Sequence, residues 1–278
     1  KIEALARDGK KPGLPTGFHK LDELLGGMQR SDLIILAGRP GMGKTALAAC
    51  IIHNVVKTGK KSIFFSLEMS NEQLMRRIIS LESGIGITDL RDGTIADDDW
   101  PKFIQATAAM DLPNLLIDDT AAITPSHARA LALKAEAEIG PLDLIVIDYI
   151  GLMKSDERAP NRYTALTNIG QALKKLAKDL NVPILALSQV NRDCENRTDK
   201  RPQTHDLRDS GDLEQTANVV LLLYRDEVYD DDAMPGIAEV AVGKNRDGKT
   251  GTAHLRFIDY RAQFASTEIT VRNIGEVL

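Results

Sequence analysis

The chain has few cysteines, few aromatic side chains and no long apolar run. Its 278 residues include two cysteines, Cys50 and Cys194, which are far apart and have no CxxC partner, so neither a disulfide framework nor a zinc site is indicated. No apolar run approaches the roughly eighteen residues that span a bilayer, and no charged-then-apolar leader opens the chain. These absences predict no membrane partner and a reduced, cytoplasmic setting.

The chain also lacks an excess of positive charge. Its 35 Lys and Arg side chains stand against 40 Asp and Glu, which gives a formal net charge of −5. Taken alone, this charge argues weakly against a nucleic-acid partner. The hydrophobic share of 43% excludes a disordered chain, and the length is ample for burying a core.

Apolar runs of strand length alternate with helical patterns as far as about residue 190. The runs lie at residues 32–37, 62–66, 114–118, 142–147 and 183–187. Helices are expected at residues 44–57, at 71–82 with Asn71 as the cap, after Thr124-Pro125, and at 163–180. Because strands that are apolar on both faces alternate with helices, the sequence predicts an α/β fold: a mostly parallel sheet with helices on both faces. Strands joined by short polar turns, at residues 219–224, 237–244 and 252–258, predict antiparallel additions at the C-terminal end.

The strongest motif is a full match to the pattern GxxxxGK[ST], from Gly38 to Thr45. Its glycines permit a tight loop whose backbone N–H groups converge on phosphate oxygens at a helix N-terminus. Lys44 is expected to reach the terminal phosphates, and the Thr45 hydroxyl is expected to bind magnesium. The predicted nucleotide-binding residues are Gly38, Arg39, Pro40, Gly41, Met42, Gly43, Lys44, Thr45 and Ala46.

Polar residues follow three of the predicted strands. Asp148 comes directly after the strand at 142–147, at the edge where open α/β sheets bind ligands, so it is the candidate second magnesium ligand. Asp143 lies at the start of the same strand and therefore at the wrong edge. Glu68 could polarise a water for attack on the γ-phosphate, and Gln189 could hydrogen-bond that phosphate. On the residues alone, an exposed strand-end acid and amide explain these last two equally well.

Two later features are candidates without a decisive motif. Lys244 and Arg246 are two residues apart in a strand pattern, so both side chains leave the same face of the sheet; a solvated edge explains them equally well. The polar segment 190–211 is too long for a routine loop, which favours a function. Its charges nearly balance, so a disordered surface loop remains the alternative.

Eight short motifs in a fixed order carry a resemblance to a known family. They are Arg39–Thr45, Phe65–Ser70, Val146–Tyr149, Leu187–Arg192, Asp199–Pro202, Asp206–Gly211, Leu213–Gln215 and Gly243–Arg246. The series resembles the motor domain of the bacterial and phage replicative DNA helicases, the DnaB family, over nearly the whole chain.

The resemblance implies a RecA-like ATPase core that forms a homohexameric ring around single-stranded DNA. Such a ring moves 5′→3′ and unwinds the duplex at the replication fork. It implies that ATP and Mg²⁺ are bound by Lys44, Thr45 and Asp148. By the same resemblance Glu68 is the catalytic base, and Gln189 links the γ-phosphate to the DNA loops.

Other roles also come from the resemblance alone. Lys244 and Arg246 are expected to reach into the neighbouring subunit's ATP site as an arginine finger with a lysine companion. Arg208, Asp209 and Gly211 are expected to line the pore and bind DNA phosphate. Primase and a helicase loader are the partners that the family implies.

The resemblance also suggests how the chain is divided. We expect a linker helix and linker at residues 1–15, the motor at 16–265 and a tail without assigned role at 266–278, in a chain that is the C-terminal part of a longer protein. Ile150-Gly151-Leu152 stands where the family usually has Leu-Gln-Leu. Two alternatives remain: a strand-exchange ATPase of the RecA or RadA type, and a regulatory P-loop ATPase without helicase activity.

Overall fold

Nine strands form one sheet in the computed structural model, which describes residues 13–109, 114–210, 212–230 and 234–267. The strands are β1 (Leu33–Gly38), β2 (Ser62–Ser66), β3 (Leu115–Asp118), β4 (Leu144–Asp148), β5 (Ile184–Gln189), β6 (Val219–Tyr224), β7 (Ile237–Asn245), β8 (Gly251–Ile258) and β9 (Gln263–Ser266). Within the described ranges their order is β3-β2-β4-β5-β1-β6-β7-β8-β9.

The directions of the strands confirm the predicted fold class. Neighbours from β3 to β6 are parallel, whereas β7, β8 and β9 are each antiparallel to the strand before them. The apolar runs located eight of these strands closely. The sequence analysis missed β9, because Phe264 is its only buried residue and the strand depends on pairing with β8.

Eight α-helices connect the strands within the described ranges. They are α1 (His19–Leu25), α2 (Lys44–Lys57), α3 (Asn71–Ser83), α4 (Ile87–Asp92), α5 (Trp100–Ala109), α6 (Pro125–Ile139), α7 (Arg162–Leu180) and α8 (Leu213–Thr216). None of them combines the length and apolar character that crossing a bilayer requires.

The N-terminal caps follow the expected chemistry with one correction. Thr124 caps α6 as predicted, since its hydroxyl accepts a hydrogen bond from the His127 amide. The prediction that Asn71 caps α3 is wrong. Ser70 is the cap, because Gln73 lies three residues on and completes a reciprocal capping box with it.

The core consists of two apolar layers, one on each face of the sheet. Helix α2 packs in one layer, and α6 and α7 pack in the other. Phe64 and Phe65 are both fully buried because successive residues of β2 enter opposite layers. Buried on both faces, the parallel strands hold their carboxyl ends, and the polar residues there, at one edge of the sheet.

The segment after β5 is more regular than the sequence indicates. Short 3₁₀-helices at Arg192–Asn196 and Thr204–Ser210 occupy part of the predicted loop. Some predictions lie outside the described residues: those for Gly211, for the linker helix in residues 1–12 and for tail residues 268–278. The side chains of Arg208 and Asp209 are likewise not described.

Candidate nucleotide-binding site

The phosphate-binding loop connects β1 to α2 and leaves the helix N-terminus open. Gly41 and Gly43 have φ angles of 84° and 95°, in the left-handed region that side chains rarely adopt. A Cβ on Gly43 would also approach the Phe264 ring to 3.1 Å. Gly43 is the N-cap of α2 and has no side chain to satisfy the first-turn amides. The loop therefore offers unpaired N–H donors and a positive helix end to an anion.

Lys44 lies between the loop and two carboxylates. Its ammonium group donates to the backbone oxygen of Arg39 at 3.0 Å. Burial lowers the pKa of Lys44 to about 8, while the charges of Asp148 and Glu68 oppose that shift. The first residue of α2 is thus in electrostatic contact with both predicted acidic residues of the site.

Asp148 ends β4 and is almost completely buried, with 1% of its surface exposed. The Thr45 hydroxyl hydrogen-bonds to it, yet its Oδ2 has no hydrogen-bond partner among the described residues. Burial raises the pKa of Asp148 to about 6. Asp143 lies at the opposite edge, where its carboxylate accepts from Arg30 and from the Lys61 amide. The choice of Asp148 over Asp143 agrees with these positions.

A cleft of about 350 Å³ brings the predicted residues together. Glu68 follows β2 and Gln189 ends β5, and both line the cleft with the phosphate-binding loop. Adjacent parallel strands carry these residues to the same edge as Asp148. The arrangement provides a cation, a hydroxyl, an exposed carboxylate and an amide around one space, which suits a nucleoside triphosphate and the water that attacks it.

Two arginines that were not predicted from the sequence also line the cleft. Arg77 of α3 has a buried Nε without a hydrogen-bond partner among the described residues, and burial lowers its pKa while Asp148 opposes the shift. Arg225 directly follows β6 and stacks 3.6 Å from the Phe257 ring centroid. The strand-end rule that found Asp148 would also have found Arg225. In the sequence, Arg77 is marked by its position: it is a charged residue next to the buried face of the helix α3.

Lys244 and Arg246 lie far from this chain's own cleft. Both side chains donate to the Gln215 carbonyl oxygen, so they do share a face. Because β7 is antiparallel to β6, the end of β7 at Asn245 pairs with Val219, at the start of β6. The two cations are therefore at the edge of the sheet opposite the cleft, and neither of them lines it.

At Gly151, where the resemblance predicts a glutamine, the Tyr149 ring occupies the space beside the backbone. A Cβ placed on Gly151 would lie 2.3 Å from one ring carbon of Tyr149. Arg162 also donates to the Gly151 carbonyl oxygen. A larger residue at this position requires the Tyr149 ring to move.

Comparison with known proteins adds the family context. Residues 13–266 match the family described as the DnaB-like helicase C terminal domain. The replicative DNA helicase DnaB of Geobacillus stearothermophilus is 43% identical over 265 residues, which is 94% of this chain and 58% of that protein. The chain thus spans little more than half the length of this curated relative.

Solved structures agree with the fold. The ATPase domain of G40P superposes with a TM-score of 0.92 at 33% identity, covering 96% of this chain and 95% of that one. A DnaB-like replicative helicase, described with its interactions with primase, has the same TM-score and identity but is 65% covered. The RadB recombinase, at a TM-score of 0.56 and 19% identity, shares the fold alone.

Proposed function

The chain belongs to the family of DnaB-like helicase C terminal domains, and on that premise we propose that it is the ATP-driven motor of a replicative DNA helicase. The observation that carries this proposal is the cleft in which Lys44, Glu68 and Gln189 meet beside Asp148. This set matches what in-line phosphoryl transfer to water requires: a phosphate cradle, a metal site and a base.

The residues present fit a magnesium ion. The unpartnered Oδ2 of Asp148 lies beside the Thr45 hydroxyl, and carboxylate and hydroxyl oxygens are ligands that Mg²⁺ accepts. We assign these two residues to the ion, which when bound would neutralise charge on the phosphate oxygens. The loop from Gly38 to Ala46 would then bind the phosphates of ATP through its free backbone N–H groups, to which Pro40 contributes none, together with the Lys44 ammonium.

Glu68 is the proposed base for hydrolysis. It is exposed at the cleft, whereas Asp148 is buried, so Glu68 is the carboxylate that an attacking water can reach. It would accept the proton that the water loses as its oxygen bonds to the γ-phosphorus, while the bond from that phosphorus to the bridging oxygen breaks and ADP leaves. Gln189 would hydrogen-bond the γ-phosphate and report its loss to the segment that follows β5.

The cleft and the cations Lys244 and Arg246 lie at opposite edges of the subunit, which supports a head-to-tail assembly. We propose a ring of six copies in which each Arg246 stabilises the transition state at the neighbour's nucleotide. The ring would encircle single-stranded DNA and translocate along it 5′→3′, with Arg208, Asp209 and Gly211 contacting its phosphates.

The remaining assignments are proposals of the same origin. Primase is a proposed partner, supported by the similar helicase described with its interactions with primase, and a helicase loader follows from the family resemblance alone. A cytoplasmic setting follows from the proposed DNA substrate. The division at residues 1–15, 16–265 and 266–278 also stays a proposal.

ATP hydrolysis and strand displacement on forked DNA test the function. We expect Lys44→Ala to lower hydrolysis by about 100-fold or more, as expected when a transition-state donor is lost, and to abolish displacement. Lys57→Ala, which removes an exposed ammonium from the other end of α2, is the matched control and should leave both unchanged. Full hydrolysis by the Lys44 variant would refute the proposed site.

The same substrates separate the alternatives. The proposed motor needs a 5′ tail on the fork; displacement that needs only a 3′ tail would overturn the polarity. A strand-exchange ATPase would pair homologous strands without unwinding the fork. A regulatory ATPase would show negligible stimulation of hydrolysis by DNA.

A further inference from the structure

The side chain of Arg39 leaves the phosphate-binding loop and bonds to the segment that follows β5. Its Nε donates to the Glu195 carboxylate at 2.9 Å, and its Nη1 donates to the Val190 carbonyl oxygen at 3.0 Å. The Val190 amide in turn donates to the carbonyl of Gly38 at 3.4 Å. Three hydrogen bonds therefore join residues 38–39 to residues 190–195. The loop that is expected to bind phosphate is therefore also hydrogen-bonded to the segment that directly follows β5.

The Arg39–Glu195 pair is partly buried and has a further hydrogen-bond donor. The Arg39 side chain is largely buried, at 11% exposed, and Glu195 also accepts from the Tyr229 hydroxyl at 3.3 Å. The hydrogen bond from Arg39 lowers the pKa of Glu195 and so favours its carboxylate form. A partly buried, charge-assisted pair of this kind holds its geometry better than an exposed one.

A second ion pair continues from the 3₁₀-helix that contains Glu195. Arg197 donates to the Asp206 carboxylate at 2.7 Å, and the Gln203 amide donates to the same carboxylate oxygen at 2.7 Å. The Asn191 backbone amide also donates a hydrogen bond of 3.0 Å to the backbone carbonyl oxygen of Asp206. Asp206 is 7% exposed and lies two residues before Arg208, the proposed DNA contact.

We infer that two ion pairs form a mechanical link between the phosphate-binding loop and the proposed DNA contact at Arg208. The first pair is Arg39 with Glu195, and the second is Arg197 with Asp206. A shift of the loop on nucleotide binding displaces Glu195 through Arg39, and the second ion pair passes the shift toward Arg208. The link is separate from Gln189, because it responds to the position of the loop rather than to the γ-phosphate. Glu195 and Asp206 are positioning residues, and the inference rests on the proposed function.

Reciprocity holds for binding free energies, so the link predicts that DNA and nucleotide change each other's affinity by the same factor. The rate of ATP hydrolysis is a separate, kinetic readout of the link. The decisive quantity is the ratio of ATPase rates with and without a single-stranded oligonucleotide. We expect Glu195→Ala to keep the basal kcat, the KM for ATP and the thermal midpoint, but to lower this ratio about five-fold or more, which is the usual range of such couplings. Glu195→Gln, which keeps an acceptor oxygen, should retain part of the ratio.

Asp193→Ala is the matched control. It removes a carboxylate from the same 3₁₀-helix, and this side chain is exposed. Its ratio should equal that of the unmodified chain. Oligonucleotide affinity, measured with and without a non-hydrolysable ATP analogue, should show the same order among the variants.

The outcomes separate the link from the function on which it rests. If the unmodified chain hydrolyses ATP but does not respond to the oligonucleotide, the proposed function and the link both fail. If the unmodified chain responds and Glu195→Ala responds equally, the link alone is refuted. A loss of ratio in Asp193→Ala as large as that in Glu195→Ala would also refute it, because the effect would then reflect charge and not the pair with Arg39.

Discussion

Asp148 lies in a buried environment that destabilises the charged form of its carboxylate. It is buried at the end of β4, and one of its oxygens has no partner among the described residues. Burial is the largest influence on it, and the Thr45 hydrogen bond offsets burial only in part. Such a residue destabilises the empty protein and becomes favourable when a cation arrives, which is typical of a functional site.

The empty protein should therefore gain stability from Asp148→Asn at high pH. The pKa of Asp148 is raised from 3.8 to about 6, so its favourable contribution is fully present below 3.8 and is lost as the pH rises through about 6. Without nucleotide, the variant should be more stable than the parent at pH 8 by up to about 3 kcal/mol, and the difference should shrink toward pH 5. Urea unfolding at the two pH values measures it.

Asp143→Asn is the control for this prediction. It removes a carboxylate at the opposite edge that pairs with Arg30 and Lys60, so it should bring no gain at pH 8. A stability difference for Asp148→Asn that is the same at pH 5 and pH 8 would contradict the role of burial.

Individual site residues could be predicted where a local pattern fixes their position. The end of a buried parallel strand made Asp148, Glu68 and Gln189 candidates, because that position follows from the sheet alone, while the roles of Glu68 and Gln189 came from the family resemblance. Arg77 could not be found in this way, since its contact with the cleft depends on how α3 packs. Glu195 was equally hidden: its partner Arg39 is distant in sequence, and only the folded chain joins them.

At the scale of elements, the start of α3 shows what sequence leaves ambiguous. Ser70 and Asn71 are both good caps, and only the reciprocal bonds with Gln73 decide between them. The strand β9 was missed for a related reason, because four residues with one buried apolar side chain carry little pattern. Long periodic elements such as α2 and α7 were located closely, since many residues repeat the same signal.

The cap assignment predicts unequal effects of two neighbouring substitutions. Ser70→Ala should lower the free energy of unfolding by about 1 kcal/mol, because it leaves the Gln73 amide unsatisfied. Asn71→Ala should have a much smaller effect, since its backbone amide, and not its side chain, makes the described bond to Asp119. Urea unfolding of both variants measures the difference, and a larger loss from Asn71→Ala would reverse the assignment.

At the scale of the whole molecule, net charge alone does not exclude a nucleic-acid partner. A value of −5 argues against nucleic acid only if the entire surface meets the ligand. In the proposed ring most of each subunit faces solvent or a neighbour, and a few residues near the pore meet the strand. Whether the chain can bind nucleic acid depends on where the charges lie in the fold, and composition does not contain that information.

The head-to-tail arrangement predicts that two inactive variants restore each other. Lys44→Ala damages the cleft and Arg246→Ala damages the opposite edge, so a mixed ring contains interfaces that join an intact cleft to an intact Arg246. Random mixing in equal amounts makes about a quarter of the interfaces complete. The mixture should therefore hydrolyse more ATP in the presence of DNA than either parent.

The control mixture combines Lys44→Ala with Glu68→Ala. Both changes damage the cleft, so no interface can be complete and no activity should return. If the first mixture never exceeds its parents, Arg246 does not act on a neighbouring subunit.

The antiparallel direction of β7 determines how many complete sites a row of copies can contain. Since cleft and cations lie at opposite edges, an open row of copies always ends with one cleft that has no donor and one donor that has no cleft. Under the proposed assembly a single copy is catalytically incomplete, and each added copy completes one more cleft than before. Closing the row into a ring completes one more site without adding a subunit. A ring therefore contains one more complete site than an open row of the same number of copies.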